Sequence, residues 1–133
     1  MNASSPREFL LDTNIVIALF GAAQDLKWQF AYDADYWVPC VVVGELIYGA
    51  CYSSEIRQNL RDIEAFIESA QIAECNGETG QFYGRIKGDL RNRGKLIPDN
   101  DIWIAAIATQ KQLTLLTRDS HFSSVPGLSY ESW

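Results

Sequence analysis

Acidic residues in four separate segments of this sequence could together hold a divalent cation. Carboxylates brought close to one another repel and resist ionising together, and a bound divalent cation removes that conflict. Most of these acids stand where a short apolar run ends or where a helix begins, and one lies inside an apolar segment. The candidate ligands are Asp12, Glu45, Asp99, Asp101 and Asp119.

Each of these acids also has a structural alternative. Asp12, Asp99 and Asp101 could serve as helix N-caps. Asp119 could be a turn residue in the segment Thr-Arg-Asp-Ser. Glu45 is the hardest to explain in this way, because its valine, leucine and isoleucine neighbours leave few positions for a solvated face. A buried acid needs a counter-charge or a metal, so the group of acids is a stronger signal than any single member.

The available ligand types restrict the metal. The sequence has one histidine, His121, and its three cysteines form no CxxC pair. A zinc site built from nitrogen and sulfur ligands is therefore not expected. Oxygen ligands alone favour Mg²⁺ or Mn²⁺. We expect His121 to be a turn or surface residue rather than a catalyst.

Short apolar runs alternate along the chain with segments of helical periodicity. This alternation predicts an α/β fold in which helices cover both faces of a parallel sheet. Ligands bind such sheets at the carboxyl ends of the strands, so the acids are expected to meet at one edge. The predicted strands are residues 9–11, 36–38, 71–74, 113–117 and 128–130, and the predicted helices are 15–20, 22–32, 41–52, 55–70, 78–92 and 98–112.

The composition is that of one globular domain over residues 1–133. No P-loop, GxGxxG or GxSxG motif is present, which removes the usual grounds for an NTPase, a dinucleotide enzyme or a serine hydrolase. The apolar run 9–11 is too short for a signal peptide, and no run approaches the ~20 residues of a membrane span. The wide spacing of Cys40, Cys51 and Cys75 is typical of reduced, mostly buried thiols. Together with the short apolar runs, this spacing leads us to expect a cytoplasmic protein with no membrane association.

Charge is distributed unevenly along the chain. The net charge of -6 argues against broad binding of nucleic acid, because phosphates repel an acidic surface. One basic segment could nevertheless contact RNA phosphates, and a solvated helix surface explains it equally well. Its residues are Arg85, Lys87, Arg91, Arg93 and Lys95.

Four short motifs in this order resemble those of PIN-domain proteins and, more narrowly, of the VapC ribonuclease toxins of bacterial toxin–antitoxin pairs. The likeness runs from about Phe9 to the C-terminus. The motifs are Leu10-Leu11-Asp12-Thr13-Asn14, Gly44-Glu45-Leu46, Ile97-Pro98-Asp99-Asn100-Asp101-Ile102-Trp103-Ile104-Ala105-Ala106 and Leu116-Thr117-Arg118-Asp119-Ser120-His121-Phe122.

The resemblance implies a PIN-like three-layer α/β/α sandwich with a short central parallel sheet. It implies a Mg²⁺-dependent endoribonuclease that cleaves RNA, including tRNA, forms homodimers and is inhibited by a cognate antitoxin. It makes Asp99 an accessory acid. The catalytic and metal-binding acids it implies are Asp12, Glu45, Asp101 and Asp119, and the supporting polar residues are Thr13, Asn14 and Thr117.

Two other functions stay open from the sequence. One is a DNA-directed metal nuclease or a phosphatase, which also uses acids at strand ends. The other is a non-catalytic, protein-binding PIN-like module with a degenerate site. For the antitoxin, the amphipathic helix predicted at 55–70 could form a groove with Tyr48 and Tyr52, although core packing explains the same pattern.

Overall fold

The computed structural model of the protein describes residues 7–20 and 34–133. Strands and helices alternate within these ranges, and the helix predicted at 22–32 lies outside them. The strands are β1 (Arg7–Leu11), β2 (Ala34–Pro39), β3 (Gln71–Ala73), β4 (Thr114–Thr117) and β5 (Tyr130–Ser132). The helices are α1 (Thr13–Phe20), α2 (Cys40–Cys51), α3 (Ile56–Ser69), α4 (Gly77–Asn92) and α5 (Asp99–Lys111), and a short 3₁₀ helix covers Ser120–Ser124.

The five strands form one sheet in the order β3-β2-β1-β4-β5, and all neighbouring strands are parallel. The central strand β1 pairs with β2 on one side and with β4 on the other, where Leu11 lies opposite Leu116. Helices flank the sheet, so the predicted α/β sandwich with a short parallel sheet is confirmed. The carboxyl ends of β1 and β4 consequently lie side by side.

Burial of the strands on both faces explains why their apolar runs are continuous and do not alternate with polar residues. The last three residues of β1 are at most 3% exposed, as expected for a strand covered on both faces. Helix α5 is buried at seven of its 13 residues, including the continuous run from Ile104 to Ala108, and it packs against α4. Within the described residues, no helix is both long and apolar enough to cross a membrane.

Local signals set where the helices begin and end. Asn76 caps α4, since its side-chain oxygen accepts a hydrogen bond from the Thr79 amide while the Thr79 hydroxyl accepts one from the Asn76 amide. Helix α5 follows Pro98 and ends at Gln112, which has a left-handed backbone with φ of 56°. Every predicted boundary that falls on described residues lies within two residues of the observed one.

Two sequence-based expectations require correction. Cys51 and Cys75 are exposed and Cys40 is half-buried, so the prediction of mostly buried cysteines is wrong. The reason is their position, since Cys51 ends α2 and Cys75 lies in the link between β3 and α4. All three are free thiols, and Cys40 Sγ lies 3.5 Å from Cys75 Sγ. The second correction concerns the segment after β4, which forms a 3₁₀ helix where only a turn was expected.

Candidate metal centre

Asp12 lies directly after β1, and its buried carboxylate is held by three donors. The Thr13 amide donates to Oδ1 at 2.8 Å. The Thr117 hydroxyl and the Asn14 side-chain amide donate to Oδ2 at 2.7 and 3.2 Å. The Asp12 amide donates to the carbonyl of Leu116 at 3.0 Å, which ties it to β4. Only 4% of Asp12 is exposed, so this carboxylate has a fixed position at the carboxyl ends of the two central strands.

Glu45 reaches the same edge from α2. Its Oε2 accepts a hydrogen bond from the Thr13 hydroxyl at 2.7 Å, and its Oε1 accepts one from the Asn100 side-chain amide at 3.1 Å. Both donors are neutral, so these contacts orient the Glu45 carboxylate without balancing its charge. Thr13 lies between Asp12 and Glu45, which brings the two acids together.

Asp101 and Asp119 complete the group from α5 and from the link after β4. Nδ1 of His121 lies 3.1 Å from Oδ2 of Asp101 and 3.1 Å from Oδ1 of Asp119. One ligand atom from each of these three residues lies within 4.8 Å of the other two. Asp101 is buried, while Asp119 is half-buried. We call Asp12, Glu45, Asp101 and Asp119 the acid cluster.

Two side chains connect the segments that carry the cluster. The Thr117 hydroxyl donates to Asp12 and accepts a hydrogen bond from the Asp119 amide at 2.9 Å. Asn14 donates to Asp12 and accepts from the Arg118 amide at 3.0 Å. The predicted supporting residues therefore contact the acids directly and fix the strand ends relative to each other.

The electrostatics agree with this convergence. Burial raises the pKa of Asp12, the hydrogen bonds from Thr117 and Thr13 oppose that rise, and the charges of Glu45 and Asp119 add to it. Burial also raises the pKa of Asp101, as do the charges of Asp12 and Asp119.

The hydrogen bond from His121 opposes the rise at Asp101 and raises the pKa of His121 itself. The negative charges of the cluster therefore act on one another, and a cation bound among them would relieve that repulsion.

The structure separates two acids that are neighbours in the sequence. Asp99 points to α4, where Oδ1 accepts hydrogen bonds from Lys87 Nζ at 2.8 Å and from the Tyr83 hydroxyl at 2.9 Å. The ion pair with Lys87 lowers the pKa of Asp99. Neither Asp99 nor Asp101 caps α5, because the N-cap residue is Pro98 and no side-chain cap is formed. The N-cap alternative is therefore wrong for both acids.

Sequence reasoning missed two contacts of the site. Asn100 was not singled out, although it donates to Glu45. His121 lies on the surface as expected, but its ring nitrogen faces two acids of the cluster. The signal for His121 was its position two residues after Asp119, where the chain turns and Asp119 Oδ1 accepts the His121 amide at 2.9 Å.

The basic residues of α4 and the link that follows it are partly paired with acids. Lys87 binds Asp99. Arg93 binds Asp89 at 2.7 Å and donates to the carbonyl of Ser124 at 2.7 Å. The remaining three residues of the segment are exposed: Arg85, Arg91 and Lys95.

The donor set fits a hard divalent cation. Carboxylates from four segments lie at this edge of the sheet. Oxygens of Asp101 and Asp119 lie within 4.8 Å of each other, and hydrogen bonds orient the carboxylates of Asp12 and Glu45. Mg²⁺ and Mn²⁺ are the ions that such oxygen ligands favour. The cysteines make no contribution to the described group of candidate ligands.

Comparison with known proteins identifies the class to which this fold and site belong. The PIN domain family matches residues 9–128, so the chain belongs to that family. It is 34% identical over 129 residues to Ribonuclease VapC2 of Haemophilus influenzae, covering 95% of this chain and 98% of the relative. It is 26% identical over 129 residues to the tRNA(fMet)-specific endonuclease VapC of Salmonella typhimurium, with the same coverage. Its fold is similar to that in the crystal structure of VapBC2 from Rickettsia felis bound to a promoter DNA fragment, with a TM-score of 0.86, 26% identity and coverage of 95% and 98%.

Proposed function

We propose that this protein is a metal-dependent endoribonuclease and the toxin of a type II toxin–antitoxin pair. The observation that carries the proposal is the convergence of the four carboxylates of the acid cluster at the carboxyl ends of β1 and β4. Relatives that match nearly the whole chain are named ribonucleases, which favours RNA over DNA or a phosphomonoester as substrate. The hydrogen-bonded, oriented acids also argue against a degenerate, non-catalytic site.

The chain's own residues would position the reaction. Asp12 and Asp101 act as metal ligands, and Glu45 and Asp119 complete the ligand set. A bound Mg²⁺ or Mn²⁺ supplies a water of lowered pKa and neutralises charge on the leaving oxygen. Thr117 and Asn14 hold Asp12 in place, so little rearrangement is needed on binding. One of Glu45 and Asp119 would also orient the attacking water.

The substrate is RNA, and tRNA is the class that we favour because one relative is named a tRNA(fMet)-specific endonuclease. Exposed basic side chains support phosphate binding despite the net charge of -6. Arg85, Arg91 and Lys95 are the best placed for this role, since Lys87 and Arg93 already hold acids of the same chain.

The partner is a cognate antitoxin, since the structural relatives include VapBC toxin–antitoxin complexes. A groove of about 370 Å³ between α1, α2 and α3 suits an amphipathic helix, because its apolar lining includes Ile17 and Phe20. The sequence prediction that Tyr48 and Tyr52 would form this groove is wrong, since neither lines it. Glu45 also lines this groove, so a segment bound there would reach the acid cluster. We further propose a homodimer that acts in the cytoplasm.

The test is cleavage of matched substrates by the purified protein. RNA, single-stranded DNA, duplex DNA and a phosphomonoester are incubated with Mg²⁺, with Mn²⁺ or with EDTA. We expect RNA cleavage that requires metal and falls by at least ~10²-fold in Asp12→Asn and Asp101→Asn. Glu64→Gln, which changes an exposed acid on α3, is the control and should retain full activity.

Two outcomes would contradict the proposal. Metal-dependent cleavage of RNA that persists in folded Asp12→Asn and Asp101→Asn would remove the acid cluster from the mechanism. Cleavage confined to DNA or to the phosphomonoester would assign the site to another class of hydrolase.

A further inference from the structure

The only histidine of the chain stands among the acids of the proposed metal site. Nδ1 of His121 lies 3.1 Å from one oxygen of Asp101 and 3.1 Å from one oxygen of Asp119. Two ligands in adjacent positions of an octahedron, each about 2.1 Å from the ion, are themselves about 3 Å apart. Without an ion, a proton on Nδ1 makes this spacing that of a hydrogen bond. The same spacing fits ligands that share one ion, so an ion that replaces the proton on Nδ1 would need little movement of these three atoms.

The fold holds the imidazole in this position. His121 belongs to the 3₁₀ helix, and the next residue, Phe122, is fully buried in the core. The His121 amide donates to Asp119, whose own amide donates to Thr117 at the end of β4. The ring is therefore carried by a segment that is anchored on both sides. Its side chain is 48% exposed, so an ion arriving from solvent can reach it.

A nitrogen ligand changes which ion the site prefers. Mg²⁺ is bound in proteins almost entirely by oxygen, whereas imidazole suits transition metals, of which Mn²⁺ is the one that also favours carboxylate ligands. Carboxylates with one imidazole nitrogen form a mixed set of ligands that Mn²⁺ accepts more readily than Mg²⁺. The four acids alone would not give this preference.

We propose that Nδ1 of His121 is a direct ligand of the ion held by Asp101 and Asp119, and that it makes the site selective for Mn²⁺ over Mg²⁺. The inference rests on the proposed function, because it concerns the same site. It adds a nitrogen ligand to the four oxygen ligands, and it assigns His121 a role in metal selection rather than in proton transfer.

The experiment uses electron spin-echo spectroscopy of Mn²⁺ bound to untagged, full-length protein. Since the chain has one histidine, any strong nitrogen coupling from an imidazole bound to Mn²⁺ comes from His121. We expect that coupling in the wild-type protein, an altered pattern after labelling with ¹⁵N-histidine, and its loss in His121→Gln. Ser123→Ala, which changes another exposed side chain of the same 3₁₀ helix, should keep it.

Calorimetry supplies the second measurement. We expect His121→Gln to weaken Mn²⁺ binding by about 10- to 100-fold and Mg²⁺ binding by less than about 3-fold. Circular dichroism verifies that the variant is folded. Mn²⁺ bound to the wild-type protein without direct nitrogen coupling would overturn the inference, and so would an unchanged ratio of the two affinities.

The two proposals fail in different ways. If the wild-type protein binds Mn²⁺ and cleaves RNA but shows no nitrogen coupling, only the role of His121 is wrong. If the protein binds neither ion and cleaves no RNA, both the nuclease proposal and the role of His121 are overturned.

Discussion

Replacing Thr117 with valine removes one hydroxyl group that serves two acids of the site. This side chain is 1% exposed, and its hydroxyl donates to Asp12 Oδ2 at 2.7 Å while accepting from the Asp119 amide at 2.9 Å. Valine has nearly the same shape, so the change deletes the two hydrogen bonds and leaves the packing intact. Serine is the matched control, because it keeps the hydroxyl and loses only the methyl group.

The expected magnitudes differ for the two variants. In Thr117→Val the Asp119 amide loses its acceptor and Asp12 keeps only two of its three donors. An unsatisfied buried group costs about 1–3 kcal/mol, so we expect unfolding free energy to fall by about 2 kcal/mol. Metal affinity should fall about 10- to 100-fold, as it does when a residue that orients a ligand is removed. Thr117→Ser should lose about 1 kcal/mol of stability and less than about 3-fold in affinity.

Urea unfolding without metal and calorimetric titration with Mn²⁺ measure the two quantities separately. The reasoning predicts that affinity follows the hydroxyl group and not the methyl group. Wild-type affinity in Thr117→Val would refute it, as would an equal loss of affinity in both variants. In either case the orientation of Asp12 would not depend on the Thr117 hydroxyl group.

Two further predictions concern charge. In EDTA the pKa values of Asp12 and Asp101 in the folded chain lie above their ordinary value of 3.8. At pH values above 3.8 the folded chain therefore binds more protons than the unfolded chain. Stability attributable to these acids therefore falls as pH rises. We expect the Tm of Asp101→Asn, followed by circular dichroism, to rise relative to that of the wild type as the pH increases from about 4 to about 7; a difference in Tm that stays constant over this range would contradict the prediction. In an Asp12→Asn background, Arg85→Glu with Arg91→Glu should weaken RNA binding at least ~10-fold and reduce its salt slope by about 2, whereas Arg57→Glu on α3 should change neither. Fluorescence anisotropy at several salt concentrations measures both, and equal losses in all variants would point to net charge alone.

The positions of Asp12 and Asp119 followed from the sequence because they depend only on where strands end. A parallel sheet places the carboxyl ends of its strands at one edge, and the apolar runs before both acids marked those ends. The fold was predictable for the same reason, since alternating strands and helices leave few arrangements that bury both faces of a sheet.

The different fates of Asp99 and Asp101 also have a local cause. Successive residues of an α-helix are about 100° apart, so side chains two positions apart point in nearly opposite directions. Asp101 turns to the acid cluster, and Asp99 turns to Lys87 on α4. From the residues alone both acids were candidate ligands, and the resemblance favoured Asp101.

The contacts of Glu45 and His121 could not be predicted from the sequence. Glu45 is oriented by Thr13 and Asn100, which lie 32 and 55 positions away along the chain. The direction of the His121 ring depends on a 3₁₀ helix that no periodic pattern in the sequence predicted. The contacts of both residues depend on how distant segments pack, and local sequence patterns carry no information about that packing.

The first turn of α5 carries three consecutive side chains that contact three different parts of the fold. Asp99 contacts α4, Asn100 contacts Glu45 on α2, and Asp101 contacts His121 beyond β4. A shift of register by one residue would turn every one of these side chains away from its partner at once. An insertion inside this triplet would therefore break the contact with α4 or the contact between Asp101 and His121, because the residues on its two sides could not both keep their directions.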